Sequence, residues 1–379
     1  MNEIAQSFDQ ASPGYREREQ SKIAAEQLLR EKLGGEIPIE YGFIIPEEYD
    51  TQGNSINADI VWARFLAPEG EENILPVEAK LYIPKNIHDL PDRELVMFMP
   101  GYPGGAAGRF ESTYASAVLA EGKIFCVTRR NSKPLDVSGK EVAKIYNSTQ
   151  RLHDAEQDGQ KYLGPDLRRP YTWQDLITEG IPSLTALGKC VDKIKLIGNS
   201  FGPTCLYYAV DYIRQHDPEI AKKITHLISL AGYLVGEQEG QLWHSSGMSV
   251  DKLEEEEAKA MKEDRVNFDI EKYSESLIKL AAQMSNIQIP DHIRQILVCA
   301  KNDPLITLPV KFEIAQEDGR KMVRPIEFPG RTQRVLLIDD RTSHKKPHTL
   351  SELTPEVLIR LLNFRQGRGT HFVEVGGKV

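Results

Sequence analysis

The sequence predicts an α/β protein built on a doubly wound, mostly parallel sheet of about eight strands with a helical cap insertion. Two observations support this prediction. From residue 94 onward, short and wholly apolar runs alternate with segments of helix length, and one of these runs ends in a glycine-rich turn that opens a helix. Strands that are buried on both faces read as continuous apolar runs, which is the pattern of a parallel sheet covered by helices.

The first part of the chain predicts a helix followed by antiparallel strands. Residues 16–32 have the periodicity of an amphipathic helix. The residues spaced for its apolar face are Ile23, Ala24, Leu28 and Leu29. Three extended segments follow at residues 37–45, 58–67 and 76–84. Apolar and polar residues alternate in the third segment, which predicts a half-exposed strand near a sheet edge.

The predicted parallel part of the sheet consists of six apolar runs. They cover residues 94–99, 123–129, 193–198, 226–232, 294–300 and 334–339. Between them lie segments that read as helices, at residues 111–121, 174–188, 203–215 and 354–365. This alternation of strands and helices predicts helices on both faces of the sheet.

Two connections, residues 131–172 and residues 233–293, are much longer than the loops of about 2–6 residues that are usual in such folds. The second contains two helical, acidic segments, which read as a cap over a binding site or as a solvated helix pair. We therefore expect an N-terminal extension over residues 1–50, a core over residues 51–232 and 293–379, and a helical cap over residues 233–292.

Composition excludes several classes of function. The formal net charge of −9 argues against a general role with nucleic acid or anionic membranes. No apolar run approaches 18 residues, and the polar start of the chain does not resemble a signal peptide. The four cysteines are widely spaced and form neither a metal-ligand pair nor a disulfide framework, which favours a reducing, cytoplasmic location.

The stretch KLIGNSFGPT, residues 195–204, carries the strongest functional signal. It places a Gly-x-Ser-x-Gly motif between an apolar strand and a helix, the setting in which a tight turn exposes a nucleophilic serine. Gly198 and Gly202 suit a turn that brings backbone segments close together. Pro203 suits the first turn of a helix, which does not use that N–H. Ser200 is the candidate nucleophile.

In this motif and its setting the chain resembles the α/β-hydrolase superfamily, over residues 55–366. The resemblance implies a triad in the chain order nucleophile, acid, histidine. Asp303, after the run at 294–300, is the implied acid, and Glu237 or Glu239 would replace it if Asp303 only begins a turn. His344, after the run at 334–339, is the implied base, with His348 as the alternative.

The resemblance also implies an oxyanion hole. One donor would be the backbone N–H of Phe201, and the other would come from the loop MPGYPGG at residues 99–105. In this loop Pro100 stands where the family usually has histidine. Tyr102 is the expected second donor, with Gly101 or Gly104 as alternatives. The residues expected to contact substrate are Gly101, Gly104 and Asn199.

These residues predict a serine hydrolase that cleaves a carboxylic ester or a small amide through an acyl-enzyme. Short-peptide aminopeptidase and carbon–carbon bond hydrolase activities occur on the same fold and remain alternatives. An acyltransferase or a non-catalytic ligand-binding protein is the alternative of another class, because fold alone does not determine function. The chemistry requires neither a metal ion nor an organic cofactor, and the expected partner is a small-molecule substrate.

Overall fold

A central sheet of ten strands organises the part of the chain that the structure describes. The computed structural model describes residues 13–50, 52–101, 107–128, 173–232, 235–238, 241–244, 283–284, 286–300, 314–317, 320–323, 334–339, 354–364 and 371–375. In spatial order the strands are β1 (Ile39–Ile45), β2 (Ala58–Phe65), β3 (Val77–Pro84), β5 (Ile124–Thr128), β4 (Glu94–Met99), β6 (Lys193–Asn199), β7 (Ile224–Leu230), β10 (Arg294–Ala300), β13 (Arg334–Asp339) and β14 (His371–Val375).

The eight inner strands have the order of the α/β-hydrolase fold. Numbered from β2 along the chain, they lie in the order 1-2-4-3-5-6-7-8, and the second is antiparallel to both of its neighbours. All the later inner strands pair in parallel. The predicted doubly wound, mostly parallel sheet is therefore confirmed, whereas the helical cap stays a prediction. Two further strands extend the sheet, with β1 pairing antiparallel to β2 and β14 pairing parallel to β13.

Helices cover both faces of this sheet, as the alternation of strands and helices predicted. In the ranges given above they are α1 (Pro13–Leu33), α2 (Ala107–Ala120), α3 (Trp173–Thr178), α4 (Ile181–Gly188), α5 (Gly202–His216), α6 (Pro218–Lys223) and α7 (Pro355–Leu362), together with a 3-10 turn at Ile87–Asp89. Apolar side chains of α1, α3, α4, α5 and α6 pack on one face, and those of α2 and α7 pack on the other.

The helix expected over residues 174–188 is two helices, α3 and α4. Pro182 lies in the first turn of α4, where its missing N–H is harmless, but it could not continue a helix that began at residue 173. Gly180 lies at the break and brings the chain close to α5, since a Cβ on it would be 3.2 Å from the Cβ of Ala209.

Helix α1 confirms the predicted helix but buries a different face. The buried side chains are Ala25, Leu29 and Leu33, spaced i, i+4 and i+8, whereas Ile23 is 58% exposed and Ala24 is also exposed. The prediction of Ile23 and Ala24 on the apolar face was wrong. Gly42 of β1 lets the helix approach, since a Cβ there would be 3.3 Å from the Cβ of Ala25, so contact with the sheet determines which residues are buried.

Strand β3 was expected to be half exposed, but all of its eight residues are buried. Its charged side chains have partners on other elements. Glu78 accepts a hydrogen bond from the Tyr41 hydroxyl at 3.0 Å and lies 3.6 Å from Arg64 Nη1. Lys80 lies 3.1 Å from Glu48. Burying a charge is tolerated when it is paired, so the alternating pattern here reflects a buried ionic face.

The described residues also form two β-hairpins that the sequence did not predict, each in a connection between strands of the main sheet along the chain. The first consists of β8 (Val235–Gln238) and β9 (Gln241–His244), at the start of the predicted cap. The second consists of β11 (Ile314–Glu317) and β12 (Arg320–Val323), between β10 and β13. Most of the two helical segments expected in the cap lies outside the described residues, as does the connection at 131–172.

Basic side chains lie near the amino ends of the parallel strands, which we call the amino edge of the sheet, beside the C-terminal end of α7. They are Lys123, Lys195, His226 and Arg294. His226 Nε2 donates a hydrogen bond at 2.9 Å to the carbonyl oxygen of Phe364, two residues beyond the helix, and Arg294 Nη1 donates to the same oxygen at 2.5 Å. The carbonyl end of a helix carries partial negative charge, so these donors hold α7 against the sheet.

We predict that His226 makes stability depend on pH. Burial lowers the pKa of His226 to about 4, and the charges of Lys195 and Arg294 act in the same direction, against that of Glu94. The unfolded chain, with a histidine pKa of about 6.5, binds more protons than the folded protein between these values. The free energy of unfolding should therefore decrease by about 3 kcal/mol as the pH falls from about 6.5 to about 4.

Urea unfolding across this pH range measures the effect, with His226→Gln as the matched variant, since glutamine can still donate to Phe364. Carboxylates contribute equally to both proteins, so the difference between their curves isolates the histidine. Parallel curves for the wild type and the variant would contradict the prediction.

Candidate active site

Ser200 lies in the turn between β6 and α5, at the carboxyl edge of the sheet. Its φ of +53° is in the left-handed region, which costs an L-residue other than glycine roughly 1–2 kcal/mol. Asn199 and Phe201 on either side are only 2% and 3% exposed, whereas Ser200 is partly exposed. The turn therefore brings a single polar residue to the surface at the end of a buried strand.

The two glycines of the motif allow this turn to form. A Cβ on Gly198 would overlap the backbone nitrogen of Pro203, where α5 begins. A Cβ on Gly202 would overlap the carbonyl oxygen of Met99, the last residue of β4. Both positions therefore require the absence of a side chain, as the sequence predicted, and the turn fits between the end of β4 and the start of α5.

The loop after β4 passes directly beside the serine. A Cβ on Gly101 would be 2.6 Å from the Cβ and 3.2 Å from the Oγ of Ser200. Gly101 is buried, and no larger residue would fit there without moving the serine. The other expected residues of this loop, Tyr102 and Gly104, lie outside the described residues.

Phe201 is the N-cap of α5, with φ of −72°. Its backbone N–H follows the serine directly, next to the amino end of a helix of 15 residues. The amino end of a helix carries partial positive charge, which favours a nearby anion. The oxyanion donor expected at Phe201 stays a prediction.

The end of β7 holds the serine turn from the other side. The carbonyl oxygen of Leu230 accepts a hydrogen bond from the backbone N–H of Ser200 at 3.0 Å and another from Asn199 Nδ2 at 3.2 Å. Asn199 was expected to contact substrate, whereas its amide group donates into the sheet. Sequence reasoning did not identify Leu230, because a backbone acceptor leaves no mark on the residue type.

The strands that precede the implied acid and base end at the same edge as β6. β10 is parallel to β7, and β13 is parallel to β10. Asp303 follows the end of β10 by three residues, and His344 follows the end of β13 by five. Asp303, His344, His348 and Glu239 lie outside the described residues. Glu237 lies in β8.

The described thiols do not offer a second nucleophile. Cys126, Cys190 and Cys205 are buried, and the Cys205 thiol donates a hydrogen bond to the carbonyl oxygen of Leu176 at 3.2 Å. Burial raises the pKa of the Cys126 and Cys190 thiols, which keeps them protonated and unreactive. In the described part of the chain, no cluster of metal-ligating side chains occurs, and no helix is long and apolar enough to cross a membrane.

No protein-family model matches the chain, and no curated protein matches its sequence. Among solved structures, an S-formylglutathione hydrolase from Agrobacterium tumefaciens matches with 13% sequence identity and a TM-score of 0.42. The match covers 84% of this chain and 98% of the hydrolase. The carboxylesterase CesB from Bacillus subtilis matches with 11% identity, 90% and 98% coverage and a TM-score of 0.40. An esterase from Pyrobaculum calidifontis matches with 11% identity, 79% and 80% coverage and a TM-score of 0.34.

These TM-scores are low, so the assignment of the fold rests on the strand order and not on the likeness. The similarity carries no information about activity.

We predict that glycine at position 200 gives a more stable protein than alanine at the same position. Ser200→Gly relieves the left-handed strain, whereas Ser200→Ala keeps a Cβ at the same φ. The glycine variant should therefore unfold with a free energy about 1 kcal/mol higher than that of the alanine variant.

Urea unfolding measures this difference, and Ser183 in α4 supplies the control. At Ser183, in an ordinary helix, the order should reverse, with alanine more stable than glycine by about 1 kcal/mol. Equal stability of the two Ser200 variants would show that the turn is not strained.

Proposed function

We propose that the protein is a serine hydrolase that cleaves a carboxylic ester or a small amide, with Ser200 as the nucleophile. The observation that carries the proposal is the setting of Ser200: a left-handed residue between a buried strand and a helix, with Gly101 of the neighbouring loop against its side chain. Backbone strain of this kind is most often retained where it serves function.

The proposed reaction has two stages. Ser200 Oγ attacks the carbonyl carbon while the imidazole of His344 accepts the hydroxyl proton, and the same proton is then delivered to the leaving alcohol or amine. Asp303 orients the imidazole and stabilises its charged form. Water then attacks the acyl-enzyme with the same base, releasing the acid and restoring the serine. The parallel pairing of β6, β7, β10 and β13 supports this assignment. The loops that follow β6, β10 and β13 in the chain, which contain Ser200, Asp303 and His344, leave from the same edge of the sheet.

The negative charge that develops on the carbonyl oxygen needs fixed donors. The N–H of Phe201 is the proposed first donor, and its location at the amino end of α5 supports the role. The N–H of Tyr102 is the proposed second donor, because Pro103 has none, with Gly101 and Gly104 beside the substrate. The nearness of Gly101 to Ser200 Oγ supports a donor from this loop.

We also propose that residues 233–292 form a cap over the substrate. The hairpin of β8 and β9 follows β7 within a few residues and therefore leaves from the edge that carries Ser200. A cap there would enclose a small substrate. Extended polymers would be excluded.

The proposal predicts that a fluorophosphonate probe labels the purified protein once per chain, at Ser200. The probe reports the activated hydroxyl without requiring the natural substrate. Mass mapping of the adduct provides the measurement, with Ser200→Ala as the negative variant and Ser229→Ala, in the neighbouring strand, as the matched control that keeps the label. Folded wild-type protein that remains unlabelled would indicate a ligand-binding protein, and faster transfer than hydrolysis with an added alcohol would indicate an acyltransferase.

The proposal further predicts that the two histidines differ. His344→Gln should slow labelling by at least about 100-fold, since general-base catalysis contributes about that much or more. His348→Gln should label within about twofold of the wild type, because it leaves the base in place. Second-order labelling rates measured side by side decide between them, and the reverse pattern would make His348 the base.

A further inference from the structure

We infer that Asn199 is a positioning residue, which sets the orientation of the nucleophile through the carbonyl of Leu230 and does not contact the substrate. The inference rests on the proposed function of Ser200 and adds a residue to it.

The first observation is that one carbonyl oxygen serves both residues of the turn. Leu230 O accepts the N–H of Ser200 at 3.0 Å and Asn199 Nδ2 at 3.2 Å. Asn199 and Leu230 also face each other as the last pair of residues where β6 meets β7. A carbonyl oxygen has two lone pairs, so it can accept both donors at once, and a change at Asn199 Nδ2 acts on the acceptor that the Ser200 N–H also uses.

The second observation is that the Asn199 side chain is directed away from solvent. Asn199 is 2% exposed, and a buried amide that loses its partner costs about 1–3 kcal/mol. The orientation of the amide follows from chemistry, since only its NH₂ group can bond a carbonyl oxygen. A residue committed in this way acts on Ser200 through the backbone.

The third observation is a second left-handed residue directly after Leu230. Ala231 has φ of +45°, and its N–H donates to the carbonyl oxygen of Val298 in β10 at 2.7 Å. A line of hydrogen bonds thus runs from Asn199 and Ser200 through residues 230 and 231 to β10. Because β10 leads to the loop of Asp303, the same line ties the nucleophile to the strand of the proposed acid.

Replacing the amide with a carboxylate tests this role. In Asn199→Asp an ionised oxygen would face the Leu230 oxygen and repel it, whereas a protonated carboxyl group could donate and restore the bond. Labelling by a fluorophosphonate probe, resolved into the maximal rate of adduct formation and the probe concentration at half-maximal rate, separates positioning from binding. Asn199→Ala removes the bond without adding charge, and Asn86→Asp, at an exposed position before the 3-10 turn, controls for the charge.

We expect Asn199→Asp to lower the maximal labelling rate by about 10- to 100-fold at neutral pH, as small displacements of a reacting group do. The half-saturating probe concentration should stay within about twofold, because binding is not altered. The rate relative to wild type should recover as the pH is lowered, because the carboxyl group is then protonated and can donate to Leu230. Asn199→Ala should show a smaller loss without recovery. The Asn86 control should match the wild type.

Three results would overturn the inference. An unchanged maximal rate in both variants would mean that the bond does not position the serine. A raised half-saturating concentration with an unchanged maximal rate would make Asn199 a binding residue. Wild-type protein without any adduct would refute the proposed function itself, and the inference with it. If Asn199→Asp does not fold, the Asn199→Ala comparison alone decides, because its smaller loss must still fall on the maximal rate.

Discussion

The close approach of the turn after β6 to the end of β4 is the constraint on which the candidate site depends. Gly202 lies against the carbonyl of Met99 with no room for a side chain, and Gly198 lies equally close to Pro203. Two backbone segments nearly touch there, and of the three residues between the glycines the middle one, Ser200, is left-handed. The same proximity brings Gly101, two residues beyond the end of β4, beside the serine side chain.

The two edges of the sheet have different roles. At the carboxyl edge, each of two adjacent strands is followed by a left-handed residue, Ser200 or Ala231. The hydrogen bonds described there all end on backbone carbonyl oxygens. At the amino edge, His226 and Arg294 donate hydrogen bonds to the carbonyl oxygen of Phe364, just beyond α7, and the carboxylate of Glu94 lies 2.8 Å from Lys195. Conformational strain is therefore separated by the length of the strands from the ionic contacts that hold a helix in place.

The sequence predicted the parts of the fold that depend on local pattern. Strands buried on both faces produced continuous apolar runs, and the requirement for glycine at two positions marked the turn at Ser200. The prediction from sequence failed where a side chain is buried by partners from other parts of the chain. Glu78 is buried because Arg64 and Tyr41 pair with it, and no local pattern reveals that pairing. The sequence also could not predict the role of the Leu230 carbonyl, because every residue has the same backbone oxygen. The loops that carry Asp303 and His344 remain predictions.

The pairing of the strands sets an order in which the turn can be completed during synthesis. β1, β2 and β3 are sequence neighbours that pair with one another, so they can associate as soon as they leave the ribosome, and contacts of low sequence separation form fast. The serine turn is different. Ala231 N–H reaches its acceptor only when Val298 has been added, some 98 residues after Ser200 in the chain. A nascent chain that ends before β10 therefore contains the complete Gly-x-Ser-x-Gly motif but lacks the strand that accepts the hydrogen bond from Ala231.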